Sequence, residues 1–127
     1  MSDEEKIREI IQIYFDGMYE SCAEKCYAAF HPNARIAGWH EGKFADLSVK
    51  EWADFCAAIQ PSPKAGGVPP RLEIISVEVH GDIASAWIID DNVGYTFRDI
   101  LAFVRIDGNW SIYTKLWHTV GPAQPGK

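Results

Sequence analysis

Hydrophobic and polar positions alternate along the later part of the chain, from Leu72 to Val120. Four runs there are rich in β-branched and aromatic residues, and a pair of residues that contains glycine separates each run from the next. Pairs of this kind form the two-residue turns that join antiparallel strands. The pattern therefore predicts a four-stranded antiparallel meander with turns at Gly81-Asp82, Gly94-Tyr95 and Asp107-Gly108.

Counting outward from these turns predicts which residues of neighbouring strands face each other. The count sets Asp91 against Arg98, and an opposite-charge pair at facing positions supports this register. A bulge in any strand would exchange the two faces from that point onward. The predicted pairs are Val79 with Ala84, Val77 with Ala86, Ile75 with Ile88, Asp91 with Arg98, Asp90 with Asp99, Phe103 with Ile112, Leu101 with Thr114, and Phe97 with His118.

In a sheet with one solvent-exposed face, apolar and polar residues alternate along each strand, but both faces of the predicted sheet are apolar. We therefore expect something to cover each face. The face that carries Trp87, Tyr113 and Trp117 is an aromatic patch of a size that is rare on a monomer, so it predicts a homodimer through the outer side of the sheet. The opposite face carries Ala84, Ala86, Phe97, Asp99, Leu101, Thr114 and His118.

Apolar residues recur at helical spacing ahead of the meander. The spacing predicts one helix from Asp3 to Tyr19 and a second from Glu20 to Phe30. The second helix is expected to stop at His31-Pro32-Asn33, because proline cannot continue a helix. Ser48 and Glu51 form a capping box, which predicts the start of a third helix. Two short extended segments, 34–39 and 43–45, lie between the second and third helices.

Three helices followed by antiparallel strands predict an α+β fold in which the helices lie across one face of the sheet. The small Ala84 and Ala86 leave space at the centre of that face, so we expect a cone-shaped pocket between helices and sheet. Residues 1–120 are expected to form a single domain, and residues 121–127 a flexible tail.

Composition and net charge argue against some classes of function. The chain has 127 residues, of which 47% are hydrophobic, and a net charge of −6, so it has no basic stripe that would bind nucleic acid. No apolar run is long enough to cross a membrane, and the acidic start of the chain does not resemble a signal peptide. We therefore expect a cytoplasmic protein with neither a nucleic-acid partner nor a membrane partner.

No motif indicates a metal or a nucleotide cofactor, and we expect neither. The three cysteines, Cys22, Cys26 and Cys56, are an odd number without a CxxC motif. A metal pair at Cys22 and Cys26 is conceivable, but free thiols in the core are the favoured interpretation.

Several motifs together resemble the nuclear-transport-factor-2-like superfamily. They are YFDGM at 14–18, FHPNA at 30–34, WHEGK at 39–43, the capped helix with Trp52, and FRDILAFVRIDGNWSIYTKLWH at 97–118. Within the superfamily the chain is most similar to the small bacterial family named putative lumazine-binding. The resemblance implies a cystatin-like cone of three N-terminal helices on a curved, mainly antiparallel sheet. It does not fix an activity, because isomerases, dehydratases, cyclases and simple binding or dimerisation modules share this fold.

A more distant resemblance to ketosteroid isomerase implies roles for two residues. The oxyanion hole of that enzyme pairs a tyrosine of the first helix with a neutral aspartic acid of the sheet. Tyr14 and Asp99 stand at the matching places in this sequence. The general base of the isomerase would fall near Gly38-Trp39, where this chain has no carboxylate. A histidine, His31, His40 or His118, could take that role in a different geometry.

These considerations give a set of candidate site residues. Asp99 would act as acid or oxyanion donor, Tyr14 as a second donor, and His118 or His31 as base. A small hydrophobic or aromatic ligand would contact Trp39, Trp52, Phe55, Phe97, Leu101, Thr114 and Met18. The alternative interpretation is structural: Asp99 accepts hydrogen bonds in a structural network, Tyr14 and the other aromatic residues belong to the core, and the histidines lie at the surface.

Three functions remain open from the sequence. The first is an acid/base isomerase, dehydratase or cyclase-like lyase that acts on a hydrophobic cyclic substrate. The second is a non-catalytic binding protein for a flat heterocycle of the lumazine or flavin type. The third is a dimerisation module with a vestigial pocket.

Overall fold

A computed structural model describes residues 1–124 and contains three helices and six strands. The predicted α+β class is confirmed. None of the helices within residues 1–124 has both the length and the apolar character needed to cross a membrane. The elements are α1 (Asp3–Tyr19), α2 (Ala23–Ala29), β1 (Phe30–His40), β2 (Lys43–Ser48), α3 (Val49–Ala58), β3 (Leu72–His80), β4 (Ile83–Asn92), β5 (Tyr95–Ile106) and β6 (Asn109–Pro122).

The six strands form one sheet in the order β2-β1-β6-β5-β4-β3. Every neighbouring pair is antiparallel except β1 and β6, which are parallel, so the sheet is mixed. All three helices pack on the same side of it, and we call this side the inner face and the opposite side the outer face. The hydrophobic core lies between the helices and the inner face.

Helix boundaries follow the capping signals of the sequence. Ser2 and Glu5 form a capping box at the start of α1, and Ser48 and Glu51 form the predicted one at the start of α3. The second helix begins three residues later and ends one residue earlier than the predicted range 20–30. That helix stops at Ala29, and His31, Pro32 and Asn33 lie in β1. Pro32 is tolerated in this strand because it falls in the irregular stretch where β1 does not pair regularly with β6.

The register of the first two hairpins is partly as predicted. Val79 faces Ala84, but a bulge at Ile75 sets Ile74 rather than Ile75 opposite Ile88. The turn between β4 and β5 is Val93-Gly94 and not Gly94-Tyr95, so the predicted register of β4 on β5 is wrong by two residues. Asp91 therefore faces Thr96, Asp90 faces Phe97 and Asp99 faces Ile88. A shift of two residues keeps every side chain on its predicted face.

The last hairpin departs from the prediction in a way that changes the faces. A bulge at Tyr113 lets Phe103 face Ile112 as predicted but sets Ala102 opposite Thr114. One extra residue in β6 reverses the direction of every side chain after it. Lys115 and Trp117 therefore point to the inner face, and Thr114 and His118 to the outer face. The predicted pairs of Leu101 with Thr114 and of Phe97 with His118 are wrong, because Leu101 faces Lys115 and Phe97 faces Thr119.

The strand β6 continues beyond the predicted domain end. Gly121 and Pro122 pair with Thr96 and Tyr95 of β5, so the first two residues of the predicted tail are part of the sheet. Residues 125–127 of that tail lie outside the described residues.

A close approach of β1 to β6 fixes the position of Trp117. A Cβ atom added at Gly38 would overlap the Trp117 side chain and its carbonyl oxygen. Glycine is therefore required at this position because there is no room for a side chain. Backbone conformation is not the reason, since the φ of Gly38 is outside the left-handed region. The same contact holds the indole of Trp117 toward the inner face.

We predict that Gly38→Ala destabilises the folded protein by about 1–3 kcal/mol, because the added methyl group forces Trp117 or the strand to move. Urea denaturation followed by tryptophan fluorescence measures the change. Gly121→Ala is the matched control, since a Cβ added in β6 at that position meets nothing within 4 Å. Equal stability of the two variants would contradict the prediction.

Candidate functional site

A cavity of about 290 Å³ lies between the helices and the inner face. It is lined mainly by apolar and aromatic side chains and is partly open to solvent. The polar groups among its lining side chains are one amine, one imidazole, one amide, one phenol and two indoles. The lining residues are Met18, His40, Ala45, Leu47, Trp52, Phe55, Asn92, Val93, Tyr95, Phe97, Lys115 and Trp117.

Three buried polar side chains meet under α1. None of them lines the cavity, but they lie beside Lys115, which does. The hydroxyl of Tyr14 lies 2.7 Å from Oδ2 of Asp90 and 3.1 Å from Oδ2 of Asp99. All three residues are at most 1% exposed. Asp90 and Asp99, which we call the carboxyl pair, come from neighbouring strands, β4 and β5. A phenol has one proton to donate, so only one carboxyl can accept it at a time.

The electrostatics of the cluster favour protonated forms. Burial raises the pKa of Asp90 well above its ordinary value of 3.8, and the negative charge of Asp99 adds to the effect. Burial also raises the pKa of Asp99, against the opposing positive charge of Lys115. The pKa of Tyr14 is raised by burial and then by the two carboxylates, so its phenol stays neutral. The carboxyl pair therefore holds a proton more readily than an exposed aspartate does.

Lys115 is a candidate site residue that the sequence does not indicate. Its side chain is 5% exposed, and Nζ lies 4.0 Å from Oδ2 of Asp99. Three aromatic rings surround the amine: Nζ is 4.3 Å from the ring centroid of Trp52, 5.0 Å from that of Tyr14 and 5.2 Å from that of Trp117. Rings at such distances stabilise a cation by cation–π attraction. The bulge at Tyr113, which turns Lys115 inward, has no signature in the sequence.

Two buried polar atoms near the cavity have no partner among the described residues. They are Nε1 of Trp52 and Oδ1 of Asp99. A buried donor or acceptor without a hydrogen bond costs about 1–3 kcal/mol, so these two atoms lower the stability of the fold. Trp52 itself lines the cavity, where its ring stacks on that of Phe55 at 5.9 Å.

The structure brings some of the predicted site residues together. Tyr14 and Asp99 meet as expected, and Trp52, Phe55, Phe97 and Met18 line the cavity. Leu101 is fully buried in the core and does not line the cavity.

Other predicted site residues lie elsewhere. Thr114 and His118 are on the outer face because of the bulge, so His118 is not near Asp99. Trp39 is also on the outer face, half-exposed and packed on Phe44. His31 packs against Tyr113, with ring centroids 5.0 Å apart, and is not part of the cluster.

His40 is the histidine that lines the cavity. Its Nδ1 lies 2.8 Å from the hydroxyl oxygen of Thr119, and its ring packs on that of Tyr95. Trp117, predicted as part of a dimer interface, lines the cavity instead, because the bulge turns it inward. Cys26 and Cys56 are buried free thiols as predicted, and Cys22 is half-buried. Within residues 1–124, no group of three potential metal ligands comes together.

Comparison with known proteins agrees with the fold. Residues 2–118 match the protein family described as putative lumazine-binding. A protein named aldolase FrzH, from Cladobotryum sp., is 26% identical over 106 residues, which are 84% of this chain and 82% of the aldolase.

Solved structures share the same architecture. A nuclear-transport-factor-2-like protein of unknown function from Silicibacter pomeroyi DSS-3 superimposes with a TM-score of 0.81 at 24% identity, over 94% of this chain and 99% of that one. One from Shewanella baltica OS155 also gives a TM-score of 0.81 at 24% identity, over 95% of each chain. At this level of identity the similarity establishes the fold alone.

We predict that the carboxyl pair makes the protein less stable as the pH rises. Folding raises the pKa of both aspartates, so unfolding releases protons and the folded state loses stability between pH 4, near the ordinary value of 3.8, and the raised pKa values. Asp90→Asn removes one charge but keeps an oxygen that accepts from Tyr14. The loss of stability between pH 5 and pH 8 should therefore be smaller in Asp90→Asn than in the unsubstituted protein.

Urea denaturation at both pH values measures this difference. Asp54→Asn serves as the control, because the Asp54 side chain is 62% exposed and its substitution should change stability by less than about 0.5 kcal/mol. If the stability of Asp90→Asn depends on pH in the same way as that of the unsubstituted protein, the raised pKa values of the carboxyl pair are not the cause of the pH dependence.

Proposed function

Because the chain belongs to the family described as putative lumazine-binding, we propose that it is a small-molecule pocket protein whose carboxyl pair performs acid/base chemistry on a carbonyl compound. The reaction class that we propose is a lyase reaction of the aldol type, in which a carbon–carbon bond beside a carbonyl group is made or broken. The observation that carries this proposal is the buried contact of Tyr14 with Asp90 and Asp99 beside an apolar cavity.

Aldol chemistry needs a base and an acid within reach of one substrate. Cleavage of a β-hydroxycarbonyl compound removes the hydroxyl proton and develops negative charge on the carbonyl oxygen. Two carboxyls that share a proton can meet both needs, because one accepts a proton while the other donates. Raised pKa values of buried acids beside a cavity are typical of catalytic sites. The aldolase from Cladobotryum sp. supports the reaction class by its name.

The cavity supports a small, flat, apolar substrate. Its volume of about 290 Å³ lies at the lower end of the range for ligand pockets. Trp52 and Phe55 stack with an angle of 23° between their planes, which provides a flat aromatic wall.

A second candidate function is non-catalytic binding of a flat heterocycle of the lumazine or flavin type. The unpartnered Nε1 of Trp52 favours it, since a ring carbonyl could accept this hydrogen bond. In this case the carboxyl pair would hold a ring N–H, and no turnover would occur.

We predict that Asp99→Asn lowers kcat/KM for aldol cleavage by about 10²-fold or more, because the amide cannot exchange a proton with the substrate. The assay uses a β-hydroxyketone that carries a naphthyl group and releases a fluorescent aldehyde. Asp54→Asn, exposed on α3, should retain full activity. Circular dichroism of each variant verifies that it is folded.

The same samples separate the two candidates. Titration with lumazine and with riboflavin, followed by quenching of tryptophan fluorescence, detects heterocycle binding. Tight binding that Trp52→Ala abolishes, together with no cleavage of the β-hydroxyketone, would favour the non-catalytic function. Cleavage that is equal in Asp99→Asn and in the unsubstituted protein would contradict the proposed lyase mechanism.

We also propose that a second copy of this chain covers the outer face. Large hydrophobic side chains remain exposed there, with Trp87 at 45%, Leu116 at 45% and Tyr113 at 39% exposure, and Trp39 and Phe44 extend the patch. Two identical faces of this kind can pack against each other about a two-fold axis. Apolar patches of this size are rare on the surfaces of monomeric proteins, which supports the same conclusion.

We predict that Trp87→Glu converts a dimer to a monomer, because a charge would be buried at the centre of the interface. Size-exclusion chromatography with light scattering measures the mass of each species. Lys50→Glu on the exposed side of α3 is the control and should leave the mass unchanged. A Trp87→Glu variant of unchanged mass would remove the argument for this interface.

A further inference from the structure

We infer that Lys115 forms a covalent imine with an aldehyde or ketone bound in the cavity, an inference that rests on the proposed lyase function. The substrate class is then a carbonyl compound small and apolar enough to reach Nζ past Trp52 and Trp117. Nothing in the family description or in the relatives assigns a role to this residue.

The amine of Lys115 lies at the cavity wall, and its ion pair with Asp99 is a long one without a hydrogen bond. Lys115 is a lining residue, and its side chain is otherwise only 5% exposed. Within the described part of the chain its amine makes no hydrogen bond, and its carboxylate neighbour, Oδ2 of Asp99, is 4.0 Å away. Surface lysines differ: Lys25 and Lys50 each contact a carboxylate at 2.7 Å. An amine without such a bond is free to turn toward a bound carbonyl carbon.

The carboxyl pair can take the proton that Lys115 must lose before it reacts. Transfer of one proton from the ammonium group to an ionised carboxylate leaves two neutral groups, and the total charge of the cluster does not change. The hydroxyl of Tyr14 contacts both carboxyls, so it can donate a hydrogen bond to either of them as the proton moves.

The covalent step balances in atoms and charge. The nitrogen lone pair attacks the carbonyl carbon and forms the C–N bond, while the π electrons of the C=O bond move to oxygen. That oxygen takes a proton from the nitrogen, which gives a carbinolamine. The carboxyl pair then returns the first proton to the hydroxyl group, water leaves, and the nitrogen lone pair forms the C=N bond. In sum, one ammonium group and one carbonyl group give one iminium group and one water molecule.

The groups around the Lys115 amine can stabilise the iminium product as well as the ammonium reactant. The iminium group carries the same single positive charge as the ammonium group that it replaces. The rings of Trp52, Tyr14 and Trp117 lie within 5.2 Å of Nζ and stabilise a cation at this place. An iminium group accepts the electron pair of a breaking carbon–carbon bond, which is the step that an aldol-type lyase must assist.

Reductive trapping tests the inference directly. The full-length protein is incubated at neutral pH with benzaldehyde and sodium cyanoborohydride, which reduces an imine to a stable amine. Intact mass and peptide mapping then locate the benzyl group. We expect Lys115 to be labelled about tenfold or more faster than any exposed lysine, because the cavity holds the aldehyde beside the amine.

Two variants and a control make the result specific. Lys115→Met and Lys115→Arg should each lose the fast labelling, and Lys50→Met, which removes an exposed amine, should keep it. Lys115→Arg keeps the positive charge under the three rings, so it separates the loss of the amine from the loss of charge. If neither Lys115 variant folds, the position of the benzyl group in the unsubstituted protein tests the inference by itself.

The outcomes distinguish this inference from the proposed function. Saturation-transfer NMR detects binding of benzaldehyde independently of any reaction. If benzaldehyde binds and the β-hydroxyketone is cleaved, yet only exposed lysines are labelled, the imine is overturned and the lyase function stands. If benzaldehyde does not bind and no β-hydroxyketone is cleaved, the lyase function fails and the imine fails with it.

Discussion

Two buried carboxyl groups and one nearly buried amine lie close together under Tyr14 of α1 and Trp52 of α3, and the balance of their charges determines what the site can do. Separated charges in such a place cost several kcal/mol each unless they are paired. Asp99 and Lys115 are close enough to attract, at 4.0 Å, but do not form a hydrogen bond. Asp90 adds a second buried carboxyl, and its pKa is raised by burial and by the charge of Asp99. Buried acids with raised pKa values are typical of acid/base sites.

One backbone irregularity decides which residues form this cluster. Without the bulge at Tyr113, β6 would send Thr114, Leu116 and His118 to the inner face, and Lys115 would point outward. The close approach of Gly38 to Trp117 then holds the reversed strand in position. The chemistry of the cavity therefore depends on the local geometry of one strand as much as on the identity of its side chains.

The fold could be predicted from the sequence, because helix caps such as Ser48 with Glu51 and the glycine turns are local signals, each with a direct physical cause. Tyr14 and Asp99 were found through the family resemblance, and the structure brings them together. Lys115 and Trp117 could not be placed, since Leu116 and Trp117 are both apolar and either face would accept one of them. The register error of two residues at the Val93-Gly94 turn leaves each side chain on its predicted face of the sheet. The one extra residue at Tyr113 moves the side chains that follow it to the opposite face.

Trp52 connects the fold to the proposed chemistry. The capping box at Ser48 fixes the start of α3, and one turn later the ring of Trp52 lies 4.3 Å from Nζ of Lys115. The same indole stacks on Phe55 and keeps Nε1 buried without a partner. Its π face stabilises a cation, while its N–H can donate to a ligand oxygen. In the proposed reaction a carbonyl compound would contact both this ring and the amine of Lys115, because the two residues line the same cavity.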